Sequence, residues 1–406
     1  MDKLPKGWEI DRLMNLCSRI TDGSHHSPKS VEVGLPYVTV KDVDNDGNID
    51  LINCKKISET DFHILVKGNC QPNIGDVLLS KDGTVGKTAI VKRNDFVLLS
   101  SLAILSPNQD LDSKYLYYFL NSPNFQDTAV RAKTGAAIKR IVLRTIKEFK
   151  IPIPPLPEQK RIVSKLNALF ERIDKSMALL EENIKHTESL MASALDEIFK
   201  KLESKSKVYK ISDFADIKGG KRLPKGLKVQ EEKTDYPYIR VADFQDNGTV
   251  DLSSLQFITK EAHEQIKRYI INPEDLYISI AGTIGKTGII PEELKGANLT
   301  ENAARFVFKS DFEINNKFIY YFTLSDNFKT QITDATKTVA QPKLALTRLK
   351  NVELPIPDIA LQNKAIERFN RLSASTYEIA QEQQDKLNNL KALKESILDR
   401  AFKGEI

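Results

Sequence analysis

The segments best equipped for chemistry are two glycine-rich turns that end in Lys-Thr. Gly83-Thr84-Val85-Gly86-Lys87-Thr88 returns later as Gly282-Thr283-Ile284-Gly285-Lys286-Thr287. A phosphate-wrapping nucleotide loop needs Gly-x-x-x-x-Gly-Lys-Thr, because the intervening N–H groups cradle the phosphates. Lys81 and Ile280 stand where the first glycine should be, and the residues after each lysine read as a strand instead of a helix. The spacing therefore predicts a strand–turn–strand whose glycines permit a tight turn. Such a turn can present Thr84, Lys87, Thr283 and Lys286 to a phosphate backbone.

A second candidate is basic. Residues 129–150 hold Arg131, Lys133, Lys139, Arg140, Arg144, Lys147 and Lys150 against the single acid Glu148. Residues 329–350 hold Lys329, Lys337, Lys343, Arg348 and Lys350 against Asp334. These stretches carry +6 and +4, together more than the +5 of the whole chain, so the remainder is net negative. Positive charge concentrated twice in the same place suits a polyanion footprint. A solvated basic face is the plain alternative.

His25 and His26 sit in a turn-like run, Thr21-Asp22-Gly23-Ser24-His25-His26-Ser27-Pro28. No third ligand lies at metal-binding spacing, so a loop role is expected, not a metal site. The matching run, Lys218-Gly219-Gly220-Lys221-Arg222-Leu223-Pro224, keeps a glycine and the proline and exchanges histidine for basic residues. That exchange argues against shared catalysis and for a loop that varies with what it contacts.

Other chemistry is missing from the pattern. The chain contains no Asn/Asp-Pro-Pro-Tyr/Phe run of an adenine methyltransferase and no Gly-x-Gly-x-x-Gly after a strand. Glu158-Gln159-Lys160 sits at a helix start, the wrong context for a nuclease carboxylate. Cys17, Cys54 and Cys70 are irregularly spaced, which predicts reduced thiols without structural zinc. With neither a secretory-type N-terminus nor an 18-residue apolar run, a cytoplasmic chain without a membrane span is expected. The residue pattern describes a reader and a scaffold, with no catalytic residue and no cofactor site.

The elements that would position these residues are duplicated. Leu35-Pro36-Tyr37-Val38 recurs as Tyr236-Pro237-Tyr238-Ile239, Asp46-Gly47 as Asn247-Gly248, Tyr117-Tyr118-Phe119 as Tyr320-Tyr321-Phe322, and Ile151-Pro152-Ile153-Pro154 as Leu354-Pro355-Ile356-Pro357. The offset stays near 200 residues throughout, so one unit has been copied once. Each copy opens with short strand-like runs (37–40, 77–80, 89–91 and 97–99 in the first) and a helix at 113–121 or 315–324. Each closes with a long helical pattern.

In the first long pattern Ile162, Leu166, Leu169, Ile173, Met177, Leu180, Ile184, Thr187, Met191, Ala194, Ile198 and Leu202 step mostly by three and four, a coiled-coil seam. The second runs from an Asp358 N-cap to Phe402 before Gly404, with Ile366, Phe369, Ile379, Leu387, Leu390, Ile397 and Ala401 along its seam. An isolated seam leaves its apolar face in water, so the duplicated helices are expected to pair. The polar run at 373–386 predicts looser packing midway. Four segments follow: globular domains at 1–157 and 205–357, and long helices at 158–204 and 358–406.

Two globular units that each end in a long helix, carrying these motifs, resemble the specificity subunit of type I restriction-modification systems. The likeness spans the chain and rests on Thr21-Asp22-Gly23 with Pro28, the Gly75-to-Lys87 element, the basic segment at 134–140, and the Pro-x-Pro-x-x-x-x-Gln entries to the helices at 152–159 and 355–362. The second unit departs from it at Glu274, which replaces the glycine of Gly75-Asp76, and at Lys218-Gly219-Gly220.

The resemblance implies an α+β fold in which two pseudo-repeated α/β target recognition domains are joined by two long antiparallel coiled-coil helices with pseudo-twofold symmetry. It implies that each domain reads half of a bipartite double-stranded DNA target, while the helices set the spacer and dock two methyltransferase subunits. Those subunits would bring S-adenosylmethionine, and restriction/translocase subunits would bring ATP and Mg2+. The expected phosphate contacts are Lys87, Lys139, Arg140, Lys286, Lys343 and Arg348. His25, His26, Thr134, Arg222, Arg240, Thr338 and Gln341 are the expected residues nearer the bases. A DNA-binding protein of the same architecture without a methyltransferase, and a coiled-coil scaffold for proteins, remain alternatives at this point.

Overall fold

The computed structural model describes residues 4–132, 140–334 and 343–406. It divides into two compact units, residues 1–181 with 385–406 and residues 182–384. Each long helix therefore contributes one part to each unit.

In the first unit a four-stranded antiparallel sheet runs in the order Cys17–Asp22, Leu102–Pro107, Val77–Ser80, Thr88–Ile90. Its central strands lack polar–apolar alternation because both faces are covered. Val77, Leu79, Ala103 and Leu105 enter a core shared with the helices, while Leu78, Leu102 and Ile104 enter a second core beneath Phe96 and Leu98. A smaller sheet pairs Leu35–Val38 antiparallel with Lys55–Ile57 and parallel with Val97–Leu98. The second unit repeats the plan with Ala215–Gly219, Ala303–Phe308, Leu276–Ser279 and Thr287–Gly288.

The long helices span Leu156–Glu203 and Ile359–Phe402. Asp358 caps the second, its carboxylate accepting the Leu361 N–H at 2.9 Å. Forty-eight residues give the first a length of about 72 Å.

Within each unit the helix pair is antiparallel. In the first unit Arg161 donates to the Ile406 carbonyl, and Lys394 meets Asp174 at 2.7 Å. Advancing from 161 to 174 on one helix thus means retreating from 406 to 394 on the other. In the second unit Thr187 reaches Gln383 at 3.2 Å, and Phe199 stacks on Phe369 with ring centroids 5.3 Å apart.

The seam differs from the expected one in two places. Ile379 is 46% exposed and lies outside it, in the polar stretch where Thr187 and Gln383 meet. Toward the end of the first helix Leu195 and Phe199 are enclosed although neither fits the a/d spacing. Phe199 meets both the partner helix, at Phe369, and the globular domain, at Phe318 and Phe322, and Leu195 belongs to the same core. A helix that covers both a partner helix and a domain needs a wider apolar arc than a two-stranded seam.

Candidate nucleic-acid interface

Both glycine-rich turns are hairpin tips. Val77–Ser80 pairs with Thr88–Ile90, and Leu276–Ser279 with Thr287–Gly288. A serine stitches each tip. Ser80 Oγ donates to the Thr84 carbonyl at 2.6 Å and accepts the Lys87 N–H at 2.8 Å. Ser279 donates to the Thr283 carbonyl and accepts the Lys286 N–H at 2.8 Å. Gly86 and Gly285 adopt φ of 103° and 91°, a left-handed backbone that favours glycine.

The lysines of these tips turn inward. Lys87 Nζ donates to the Val43 carbonyl at 2.6 Å, and Lys286 Nζ to the Phe244 carbonyl at 2.8 Å. Lys286 also meets the exposed Asp246 at 2.9 Å. Each ammonium thereby ties the hairpin to the neighbouring Asp-Gly or Asn-Gly turn, a role the sequence pattern did not reveal.

The end of each basic segment docks on its hairpin tip. Arg140 forms an isolated antiparallel bridge with Asp82, and Ile141 N–H donates to the Lys81 carbonyl at 2.9 Å. Lys343 bridges Ala281, and Leu344 N–H donates to the Ile280 carbonyl at 2.9 Å. Arg140, Lys343 and Arg348 are solvent-facing. Thr134, Lys139, Thr338 and Gln341 lie outside the described residues.

The variable loop reaches the same place. Asp22, at the end of its strand, meets Lys81 Nζ at 3.2 Å and His25 Nε2 at 3.4 Å. Lys81 is buried, with Asp82 on its other side at 3.4 Å. The second oxygen of Asp82 is buried without a hydrogen-bond partner.

Gly23 is required by close approach, since a Cβ there would lie 2.2 Å from the Leu98 carbonyl oxygen. Gly220 is constrained alike, 2.1 Å from the Thr300 carbonyl oxygen. This explains why one glycine survives in two otherwise different loops. His25 and His26 are exposed, and Lys55 holds their loop through Ser27 and the Pro28 carbonyl. In the second unit Arg222, 79% exposed, pairs with Glu301 at 2.5 Å. Glu301 holds the Arg222 guanidinium above its ordinary pKa through that hydrogen bond.

Arg240 is placed differently. Its guanidinium grips the fully buried Asp243 at 2.6 and 3.1 Å and donates to the Ser254 carbonyl at 3.1 Å. The hydrogen bond to Asp243 raises its pKa further. Arg240 closes the short helical turn after its strand, where the first unit uses Thr39 and Asp42.

Each unit therefore docks the end of a basic segment on a hairpin tip; in the first the glycine-anchored loop joins the tip through Asp22 and Lys81, and in the second Arg222 pairs with Glu301, next to Asn302, whose carbonyl accepts the Ile280 N–H at 2.8 Å. Sequence reasoning missed Asp22 and Lys81 as partners, because the contact joins residues 59 positions apart. Among the described residues no group of three or more His, Cys, Asp or Glu could hold a metal ion. None of the described helices is long and apolar enough to cross a membrane. All three cysteines are free and buried, and burial pushes the Cys17 thiol up to about 12.

The family model for the type I restriction modification DNA specificity domain matches residues 5–185 and again 203–389. The chain is 28% identical over 357 residues to the type I restriction enzyme EcoBI specificity subunit of Escherichia coli, covering 82% of this chain and 73% of that one. It is 22% identical to the MjaVIII specificity subunit of Methanocaldococcus jannaschii, covering 100% of this chain and 94% of its relative. A chain solved in work on complex assembly and conformational transition of the type I R-M system shares the fold, with a TM-score of 0.76 at 21% identity over 100% of both chains.

Proposed function

The chain belongs to the type I restriction-modification DNA specificity family and is its non-catalytic, DNA-specifying component, and from that premise we propose how its parts divide the work. Residues 1–157 and 205–357 act as two target recognition domains, each reading one half of a bipartite double-stranded target. Residues 158–204 and 358–406 act as the helical ruler that sets the unread spacer.

The observation that carries this reading is the docking of each basic-segment end on its hairpin tip, built twice on one frame, with the variable loop joined to the tip through Asp22 and Lys81 in the first unit. Arg140, Lys343 and Arg348, with Lys139 next to Arg140 in sequence, supply phosphate contacts that fix register. His25, His26 and Arg222, with Thr134, Thr338 and Gln341 from the basic segments, supply contacts nearer the bases. Lys87, Lys286 and Arg240 support these groups from behind.

The charged outer faces of the helices dock two methyltransferase subunits, which supply S-adenosylmethionine. Restriction/translocase subunits add ATP and Mg2+, and the assembly works in the cytoplasm. Co-purification with a methyltransferase tests the partnership, and mapping which adenines it methylates identifies the target.

Replacing Arg140 and Lys343 by alanine should lower the slope of log affinity against log salt by about 0.9 for each phosphate left without its cation. An unchanged slope and affinity would remove both residues from the interface.

A further inference from the structure

The same buried joint fastens each globular domain to its long helix. Gln159, in the first turns of one helix, is 1% exposed. Its Oε1 accepts the Asp112 N–H at 2.9 Å, and its Nε2 donates to the carbonyls of Asp110 at 2.8 Å and Pro154 at 2.9 Å. Gln362 is 0% exposed. It accepts the Asn315 N–H at 2.9 Å and donates to Glu313 at 3.2 Å and Pro357 at 2.9 Å. Asp112 and Asn315 are the N-caps of the domain helices Ser113–Leu120 and Asn316–Thr323.

A second clasp lies two turns farther along each long helix. Tyr118 donates to Asn167 Oδ1 at 2.7 Å, and Tyr321 to Asn370 Oδ1 at 2.5 Å.

Two features mark these groups as more than core filler. An apolar residue at either glutamine position would bury as well without fixing orientation, whereas an amide that satisfies three backbone groups accepts only one pose. Moreover, glutamine and asparagine are spaced eight residues apart in both helices, which separates the clasps by about 12 Å along the axis. A hydrogen bond is broken once stretched by about 1 Å, so a joint held at both points pivots by only about 5°.

We propose that Gln159 with Asn167, and Gln362 with Asn370, are positioning residues that make each domain–helix joint rigid and so set how strictly the spacer is measured. This rests on the reading that the long helices act as the ruler. Neighbouring base pairs differ by about 3.4 Å of rise and about 35° of rotation. Two joints that each allow about 5° fall well short of that change, and removing a clasp removes the constraint that sets the limit. The joints therefore control spacer tolerance without touching DNA.

The test uses the full chain in complex with its methyltransferase. After the methylated target is mapped, methylation is measured on duplexes with both half-sites kept and the spacer varied by one and two base pairs either way. Wild type, Tyr118→Phe with Tyr321→Phe, and Gln159→Ala with Gln362→Ala are compared. The tyrosine pair removes only two hydroxyls and guards against misfolding in the glutamine pair.

The expected result is that discrimination against a one-base-pair change falls by about tenfold in the variants, as loss of a hydrogen bond at each joint implies. Base preferences inside each half-site stay the same, which a general loss of structure would not permit. Unchanged spacer discrimination in folded variants overturns the joint assignment while the ruler stands. A wild-type complex indifferent to spacer length overturns the ruler, and the joint assignment with it.

Discussion

Lys87 and Lys286 separate two roles that sequence alone merges. A lysine at a glycine-rich tip is an obvious phosphate ligand, yet both ammonium groups are hydrogen-bonded to internal carbonyls, at 2.6 and 2.8 Å. Replacing each by methionine keeps most of the aliphatic stem and removes the charge. The loss of a hydrogen bond from a charged donor corresponds to about 1.5–3 kcal/mol. For a unit of this size that lowers the melting temperature by roughly 3–12 °C. The extra pair with Asp246 adds little, since that carboxylate is 94% exposed, so the two variants should be destabilised alike. Calorimetry of the free protein measures this, and duplex binding across a salt series measures the other half. The salt slope should stay at the wild-type value in both variants. A slope lower by about 0.9 with an unchanged melting temperature would show that these lysines neutralise phosphates, and the tether assignment would fail.

Three further outcomes follow from the geometry. Asp275 binds Arg305 at 2.5 Å with both side chains nearly enclosed, while Asp76 binds Arg19 at 2.7 Å with the arginine 27% exposed. Asp275→Ala should cost about 3–5 kcal/mol in chemical denaturation, and Asp76→Ala less because Arg19 can hydrate; the reverse order would contradict the burial argument. Burial, with the charges of Tyr117 and Asp174, pushes the Tyr118 hydroxyl up to about 12 from 10.0. The stability it contributes is complete below pH 10 and is lost as pH rises toward about 12, so an ultraviolet titration in which Tyr118→Phe removes no late-titrating phenol would refute the assignment. Inserting a heptad at 171–190 and opposite it lengthens each helix by about 10.5 Å, and the preferred spacer should grow by about three base pairs; methylation of a spacer series reads this directly, and an unchanged optimum would refute the ruler.

Much of the fold was legible because period and duplication are strong signals. The three-four step from Ile162 to Ile173 and the Pro-to-Gln entries marked where the long helices run, and the paired glycines of Gly83-to-Gly86 and Gly282-to-Gly285 marked the hairpin tips. Less legible were residues whose role depends on contacts distant in sequence. Lys81 reads as a surface lysine until Asp22 is brought beside it. Arg240 reads as a candidate near the bases, and its grip on the buried Asp243 becomes visible only in the structure. Gln159 offered only a polar side chain at a helix start, and its three backbone partners belong to a loop some 47 residues earlier and to the turn just before it. Phe199 and Leu195 fell outside the seam because a heptad count assumes one partner, and this helix end has two.

On the proposed reading, the distribution of what is repeated and what is not lets one chain address an asymmetric target. Serine stitches, lysine tethers, buried glutamines and tyrosine–asparagine clasps recur in both units at matching positions with similar distances. At the tips the correspondence breaks down: Asp22 faces Lys81 and His25 in one unit, and the matching positions are Gly219, Ile280 and Arg222 in the other. The repeated frame gives both units the same internal scaffold, and the tips differ in their chemistry. Because the tip residues are anchored by backbone features such as Gly23 and Gly220, their side chains can change without disturbing the frame. On the proposed reading, a change of recognised sequence calls for substitutions at the tips, whereas a change of spacing calls for altering the helices or their joints.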